Sequence, residues 1–165
     1  MTVVAITGIG GSLGLRLVER AIALGWGVRG IDRDATGALR ARARGAQVVI
    51  ADINDRDALR HCLNGADVVM HTAARVGEDG QRAAFEHDNV HGTESVCVVM
   101  EELGLRHLIH VSTVMVYGFD YPPDADEETP IRGQGNVYND TKIAVERLVR
   151  ENVETGTLDA VILRP

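Results

Sequence analysis

Apolar, β-branched residues gather in six short runs: Val3–Thr7, Gly27–Asp32, Gln47–Ala51, Asp67–His71, His107–Ser112 and Asp159–Leu163. Most are apolar at consecutive positions and do not alternate with polar ones. That pattern predicts strands buried on both faces, as in a parallel sheet. Helix-length segments separate them. Ser12–Leu24 carries Leu13, Leu17, Ile22 and Leu24 and stops at Gly25. Asp55–Leu63 opens on an acidic turn and stops before Asn64-Gly65, Arg82–Leu103 stops at Gly104, and Tyr138–Thr155 stops at Gly156. Arg40, Arg42 and Arg44 before Gly45 read as a solvated helix end that complements the helix dipole. Strand and helix in alternation predict βαβ units, a doubly wound α/β parallel sheet and the strand order 3-2-1-4-5-6. The stretch Gly118–Val137, with three prolines and the acidic run Asp124–Glu128, breaks the pattern and is a candidate active-site loop.

Composition narrows the class. The chain has 165 residues, 45% of them hydrophobic and 25% charged, which suits a single globular domain. A net charge of -7 and 4% aromatic residues argue against nucleic acid as a partner. Cys62 and Cys97 form no paired motif and read as small buried apolar residues of a reducing compartment. The N-terminus lacks a basic, apolar leader pattern, and no apolar run is long enough to cross a membrane. The expectation is a cytoplasmic protein with no membrane partner.

The chemistry starts where the first strand meets the first helix. Thr7-Gly8-Ile9-Gly10-Gly11-Ser12-Leu13-Gly14 places Gly8, Gly11 and Gly14 three residues apart. Such glycines allow a tight turn and close approach of a pyrophosphate to the helix N-terminus. Asp32 closes the second strand, where a carboxylate can bond both hydroxyls of an adenosine ribose and repel a 2′-phosphate. NAD is therefore favoured over NADP, with Arg33 as the one residue that could accept the phosphate. Asp52 ends the third strand, either as an acceptor for an adenine amino group or as a helix cap.

Tyr138 and Lys142 lie four apart on a predicted helix and share a face. A phenol ordinarily titrates near ~10. An adjacent ammonium would pull that value toward neutrality, so that Tyr138 could exchange a proton with a hydroxyl or carbonyl. Lys142 could also hold the nicotinamide ribose.

With these motifs in order, the chain resembles the NAD-binding Rossmann part of an extended short-chain dehydrogenase/reductase of the epimerase/dehydratase superfamily. The resemblance runs over essentially all of residues 1–165. It rests on the glycine loop, Asp32, Asp52-Ile53, His71-Thr72-Ala73-Ala74, Asn89-Val90-His91-Gly92-Thr93, Val111-Ser112-Thr113, Val116-Tyr117-Gly118, Tyr138-x-x-x-Lys142 and Leu163-Arg164-Pro165. It implies that Thr113 bonds the reacting oxygen beside Tyr138, with Ser112 as the neighbouring candidate. It also implies that Thr72, Ala73 and Ala74 let cofactor cross the end of the fourth strand, that Asn89 supports the site, and that Ser12, Leu13, Ile53 and Val111 take part in cofactor binding. Homodimers built on the helices at 82–103 and 138–155 are a further implication.

Dehydratases of this family that act on nucleotide sugars carry an Asp-Glu pair after the threonine, and related decarboxylating enzymes keep the Glu. Val114 and Met115 stand there in this chain and can move no proton. The expectation is hydride transfer at a hydroxyl/carbonyl carbon by an NAD-dependent epimerase or dehydrogenase, with a small hydroxyl/carbonyl compound such as a nucleotide sugar as substrate. HTAARVGEDG and VYGFDYP fit either activity. A non-catalytic NAD(P)-binding module and an inactive cofactor-binding fragment are the alternatives. His87 and His91 share a helix face, but no third ligand is apparent and no metal is expected. The resemblance also implies a C-terminal substrate domain after Pro165, so 165 residues reads as the cofactor half of a longer enzyme, with an uncovered apolar patch at the last strand.

Overall fold

In a computed structural model of the chain, residues 1–77, 80–133 and 135–165 are described. Glu78 and Asp79 of the HTAARVGEDG segment, and Gln134 of the irregular loop, fall outside them. Six strands form one sheet: β1 (Val3–Thr7), β2 (Gly27–Asp32), β3 (Gln47–Ile50), β4 (Val68–His71), β5 (His107–Val111) and β6 (Asp159–Leu163). Every pairing is parallel and the order is β3-β2-β1-β4-β5-β6, as the alternation of runs predicted.

The double winding follows from the strand pleat. Neighbouring residues of β1 point to opposite faces. Val4 and Ile6 pack into a cluster with Val18 and Ala21 of α1 (Ser12–Ala23) and Ala38 and Ala41 of α2 (Ala35–Ala43). Ala5 packs on the other face, in a cluster with Leu59 and Leu63 of α3 (Arg56–Leu63), Val96 and Met100 of α5 (Gly92–Glu102) and Val145 and Val149 of α6 (Val137–Glu154). Both clusters need apolar residues on both sides of β1, which is why that strand reads as a continuous apolar run. Cys62 and Cys97 sit in the second cluster as free thiols, pushed up to about 12 by burial.

Two elements go beyond the sequence reading, which marked the end of α2 at Arg40–Arg44 but not its start. α2 carries no apolar stripe that would announce it. It is set by the Asp34 side chain, which caps it by accepting from the backbone N–H of Thr36 and Gly37. The single helix expected over Arg82–Leu103 is three segments: α4 (Arg82–Phe85), a π-helical stretch over Glu86–His91, and α5. The wide turn buries the side chains of Asp88 and Asn89, two adjacent residues, against the rest of the domain.

β6 is an edge strand with alternating exposure, leaving Val161 and Leu163 about half exposed on one side. Among the described residues no helix is long and apolar enough to cross a membrane.

Candidate active site

The strand order reverses between β1 and β4, and the carboxyl ends of the strands open there into a cavity of about 270 Å³. The glycine loop forms one wall with Gly8, Gly10 and Gly11. Gly8 has a φ of +68°, and a Cβ on it would lie 2.7 Å from Ala73 Cα. The close passage of the loop over the end of β4 therefore needs glycine on one side and a small residue on the other. A Cβ on Gly14 would meet Gly8 O at 2.4 Å, so Gly14 is what lets α1 start this near the loop. Ser12 and Leu13 fill the exposed first turn of α1, next to the cavity wall and not part of it.

α1 begins at Gly11 with no side-chain cap, whereas α2, α3 and α6 are capped by Asp34, Asp55 and Asn136. Its first amides are thus left for an external acceptor, the condition that makes a helix start an anion site. Asp32 holds the loop: its Oδ2 accepts from Gly10 N at 2.8 Å and its Oδ1 from Asp34 N at 2.9 Å.

Asp32, Arg33, Asp52 and Ile53 line the cavity at the ends of β2 and β3, and Thr72, Ala73 and Ala74 line it after β4. Thr72 Oγ1 donates to Thr7 O at 2.7 Å, which pins the exit of β4 to β1. Asp52 Oδ1 accepts from the Asn54 backbone N–H at 2.9 Å, so its carboxylate both braces a turn and faces the cavity.

Sequence reasoning missed an ion cluster on this wall. Arg33 forks onto Asp88, Nη1 to Oδ1 at 2.9 Å and Nη2 to Oδ2 at 2.7 Å. Arg75 Nε donates to Asp88 Oδ2 at 2.8 Å. Burial opposes the charge, but Arg33, then the His87 ring at 3.1 Å and Arg75, outweigh it and hold Asp88 down at about 2. Asp52, His87 and Asp88 also bring possible ligand atoms within 4.8 Å of one another. Both Asp88 oxygens are already taken by guanidinium groups there, the charge balance of an ion-pair cluster. No spacing rule joins positions 33, 75 and 88, so no sequence signal pointed to it.

The catalytic candidates lie beyond β5. Thr113 caps a 3₁₀ turn over Val114–Tyr117, its Oγ1 accepting from Met115 N at 3.3 Å. The same hydroxyl lies beside the Tyr138 phenol and draws its pKa down. Burial acts the other way and dominates, so Tyr138 sits above its ordinary value, not below it as expected. The physical reason is where Lys142 points. Its Nζ donates to Val111 O at 2.7 Å, so burial and the Thr113 hydroxyl are what act on the phenol. Lys142 itself is almost fully buried, and desolvation lowers it to about 8 against the opposing pull of Glu146.

Asn89 reaches both halves of the site. Its Oδ1 accepts from Arg75 N at 2.7 Å, while its Nδ2 donates to Arg75 O at 3.1 Å and to Thr141 Oγ1 at 3.0 Å. The exit of β4 is thereby tied to α6, the helix of Tyr138 and Lys142. Glu146, one turn beyond Lys142, is fully buried and takes both arms of Arg164, at 2.9 and 2.6 Å. Arg164 also stacks on the Tyr117 ring at 4.8 Å, joining the end of β6 to the 3₁₀ turn. The i,i+4 spacing from Lys142 was the available signal for Glu146.

A parallel sheet in this order, with a glycine turn and a carboxylate at its switch point, defines a Rossmann-type dinucleotide-binding domain. The family model described as "NAD dependent epimerase/dehydratase family" matches residues 4–165, and the chain belongs to that family. A 4-hydroxy-2-methyl-3-oxo-4-farnesyl-3,4-dihydroquinoline-1-oxide ketoreductase of Stigmatella aurantiaca is 32% identical over 97% of this chain and 48% of its own length. An N-acetyl-alpha-D-glucosaminyl-diphospho-ditrans,octacis-undecaprenol 4-epimerase of Escherichia coli O157:H7 is 31% identical over 98% of this chain and 47% of its own. Among solved structures, UDP-glucose-4-epimerase from Stenotrophomonas maltophila, with bound NAD and formylated UDP-arabinopyranose, superposes with a TM-score of 0.90 at 26% identity, over 99% of this chain and 52% of that one. The chain spans about half the length of the curated relatives it matches.

Proposed function

We propose that this chain is the cofactor-binding and proton-transfer part of an NAD-dependent epimerase or dehydrogenase acting at a hydroxyl/carbonyl carbon. The observation that carries the reading is the uncapped glycine-loop start of α1 held by Asp32, at the same sheet end as Thr113 and Tyr138, with the buried Lys142 one turn further along α6.

The residues fit a dinucleotide. The glycine cradle has no room for a Cβ at Gly8 or Gly14, and α1 leaves its first amides for a pyrophosphate. Gly8, Gly11, Ser12, Leu13 and Gly14 would hold that group, Asp32 the adenosine ribose, and Asp52 and Ile53 the adenine side. Thr72, Ala73, Ala74, Asn89 and Val111 would border the path to the nicotinamide, and Lys142 would hold its ribose. Nicotinamide supplies or accepts the hydride when bound. A phenol kept protonated by burial is ready to give its proton to a carbonyl oxygen, and Thr113 can donate to the same oxygen. Lys142, brought to about 8, can still bear charge at neutral pH while its Nζ is held on Val111 O. The step is one proton to oxygen and one hydride to carbon, or the reverse.

Val114 and Met115, the two residues that follow Thr113 in the 3₁₀ turn, have side chains that can take no proton. This supports simple hydride transfer, with oxidation, turning and re-reduction as the epimerase variant. The named relatives are a ketoreductase and a 4-epimerase of a diphospho-undecaprenol-linked sugar, and the similar solved structure is a UDP-glucose-4-epimerase, which together support a carbonyl compound or an activated sugar such as a nucleotide sugar as substrate. A cytoplasmic setting and a homodimer through the helices at 82–103 and 138–155 belong to the same reading, the dimer to be read from the mass in solution scattering.

The test is Tyr138→Phe, assayed for NAD-dependent turnover with a panel of nucleotide sugars and ketones. Loss of turnover with cofactor binding retained supports the reading. Turnover that survives the substitution removes Tyr138 from the mechanism. NAD binding without any turnover in the unaltered protein favours the non-catalytic module or the inactive cofactor-binding fragment.

A further inference from the structure

We propose that Asp88 sets which dinucleotide the cavity accepts, by occupying the guanidinium fork of Arg33 and so denying it to a 2′-phosphate. The inference rests on the cavity being a dinucleotide site, as argued above.

A guanidinium binds phosphate best through two parallel N–H bonds, the same two that it offers a carboxylate. Arg33, directly after the ribose-facing Asp32, is the residue placed to make them. Its Nη1 and Nη2 each give one N–H to Asp88, at 2.9 and 2.7 Å, which occupies the end-on fork and fixes where the guanidinium points, and Asp52 lies 3.5 Å from Nη1. The Asp88 side chain is only 9% exposed, and Arg75 holds it from a second direction at 2.8 Å. For Arg33 to turn to a phosphate, a nearly buried carboxylate would have to lose its bidentate partner, a costly change. Nothing nearby favours the exchange. The charged side chains lining the cavity are Asp32, Asp34, Asp52 and Asp88 against Arg33 and Arg75, a negative balance for an incoming phosphate dianion. The π-helical turn is what delivers Asp88 to this place, facing a strand end 55 residues away in sequence.

The test compares ADP-ribose with 2′-phospho-ADP-ribose by calorimetric titration. The unaltered chain is expected to prefer ADP-ribose. Asp88→Asn removes the charge that holds Arg33 and is expected to shift the affinity ratio toward the 2′-phosphate by roughly tenfold or more. The double variant Asp88→Asn with Arg33→Ala is expected to lose that shift. An unchanged ratio in Asp88→Asn, or a gain that survives loss of Arg33, overturns the proposal. Melting of each variant shows whether it folds. If Asp88→Asn does not, Arg33→Ala alone decides: the ratio stays within about twofold when Arg33 is sequestered. Selective loss of the 2′-phosphorylated ligand would show that Arg33 already binds it. If ADP-ribose binds no form of the chain, the dinucleotide reading falls and this inference falls with it.

Discussion

Asn89 donates from Nδ2 to the Thr141 hydroxyl at 3.0 Å, and this bond joins the π-helical stretch to the helix that carries Tyr138 and Lys142. The same amide closes two further bonds with the backbone of Arg75. Asn89→Ala removes all three and leaves the half-buried backbone N–H and carbonyl of Arg75 without these partners. The cost expected is about 1–3 kcal/mol for the lost bonds, seen as a lower midpoint in chemical denaturation. Because the bond links strand exit to helix, turnover of the active protein is expected to fall more than cofactor affinity does.

Gly14→Ala tests the cradle. A Cβ there would lie 2.4 Å from Gly8 O and 2.7 Å from Ile9 Cα, both backbone, so the loop itself must move. Dinucleotide affinity measured by titration is expected to drop at least roughly tenfold. A full-affinity variant would show that the loop does not touch the ligand.

Acid should destabilise the domain through a buried pair of histidines. His71 accepts or donates at both ring nitrogens, with Thr7 Oγ1 at 2.6 Å and Thr93 Oγ1 at 2.8 Å, and its ring lies 5.2 Å from that of His110. Burial, then Lys142, lowers His71 to about 3, and burial, then His71 and Lys142, lowers His110 to about 2. Both rings stay neutral when folded, yet each takes a proton below pH ~6.5 once unfolded. The unfolded chain then binds more protons, so stability falls as pH drops from about 6.5 toward 3. Denaturation midpoints across that range should show the slope, and His110→Leu should flatten it.

Glu146→Gln should be more damaging than its conservative look suggests. The carboxylate is fully buried, and Arg164 reaches it through two bonds. Breaking such a pair leaves an unbalanced guanidinium and is expected to cost about 3–5 kcal/mol. The ends of β6 and of the 3₁₀ turn, both held through Arg164, should then exchange amide hydrogen faster. Equal protection in the two proteins would contradict this.

The strands and their order were legible because both faces of β1 are buried, which writes the sheet into the sequence as unbroken apolar runs. The glycine loop was legible because close backbone approach leaves glycine as the only solution. α2 was harder: ATGALRARA has no apolar stripe, and its start depends on a cap at Asp34. The π-helical turn was invisible, since its residues keep ordinary helix propensity and only tertiary bonds at Asp88 and Asn89 favour the wider winding. Lys142 was found by spacing, but its hydrogen bond to Val111 O was not, because a backbone acceptor carries no side-chain signature.

The uncapped start of α1 has a consequence for handling the protein. A helix whose exposed first amides have no side-chain acceptor gains stability when a visiting anion takes the place of water there, so part of its stability can come from outside the chain. Any ligand that fills the position binds the folded form alone, and at a hundredfold excess over its dissociation constant adds about 2.7 kcal/mol. The melting temperature is then a reading of ligand concentration as much as of sequence, and purification that strips small anions should yield the less durable material.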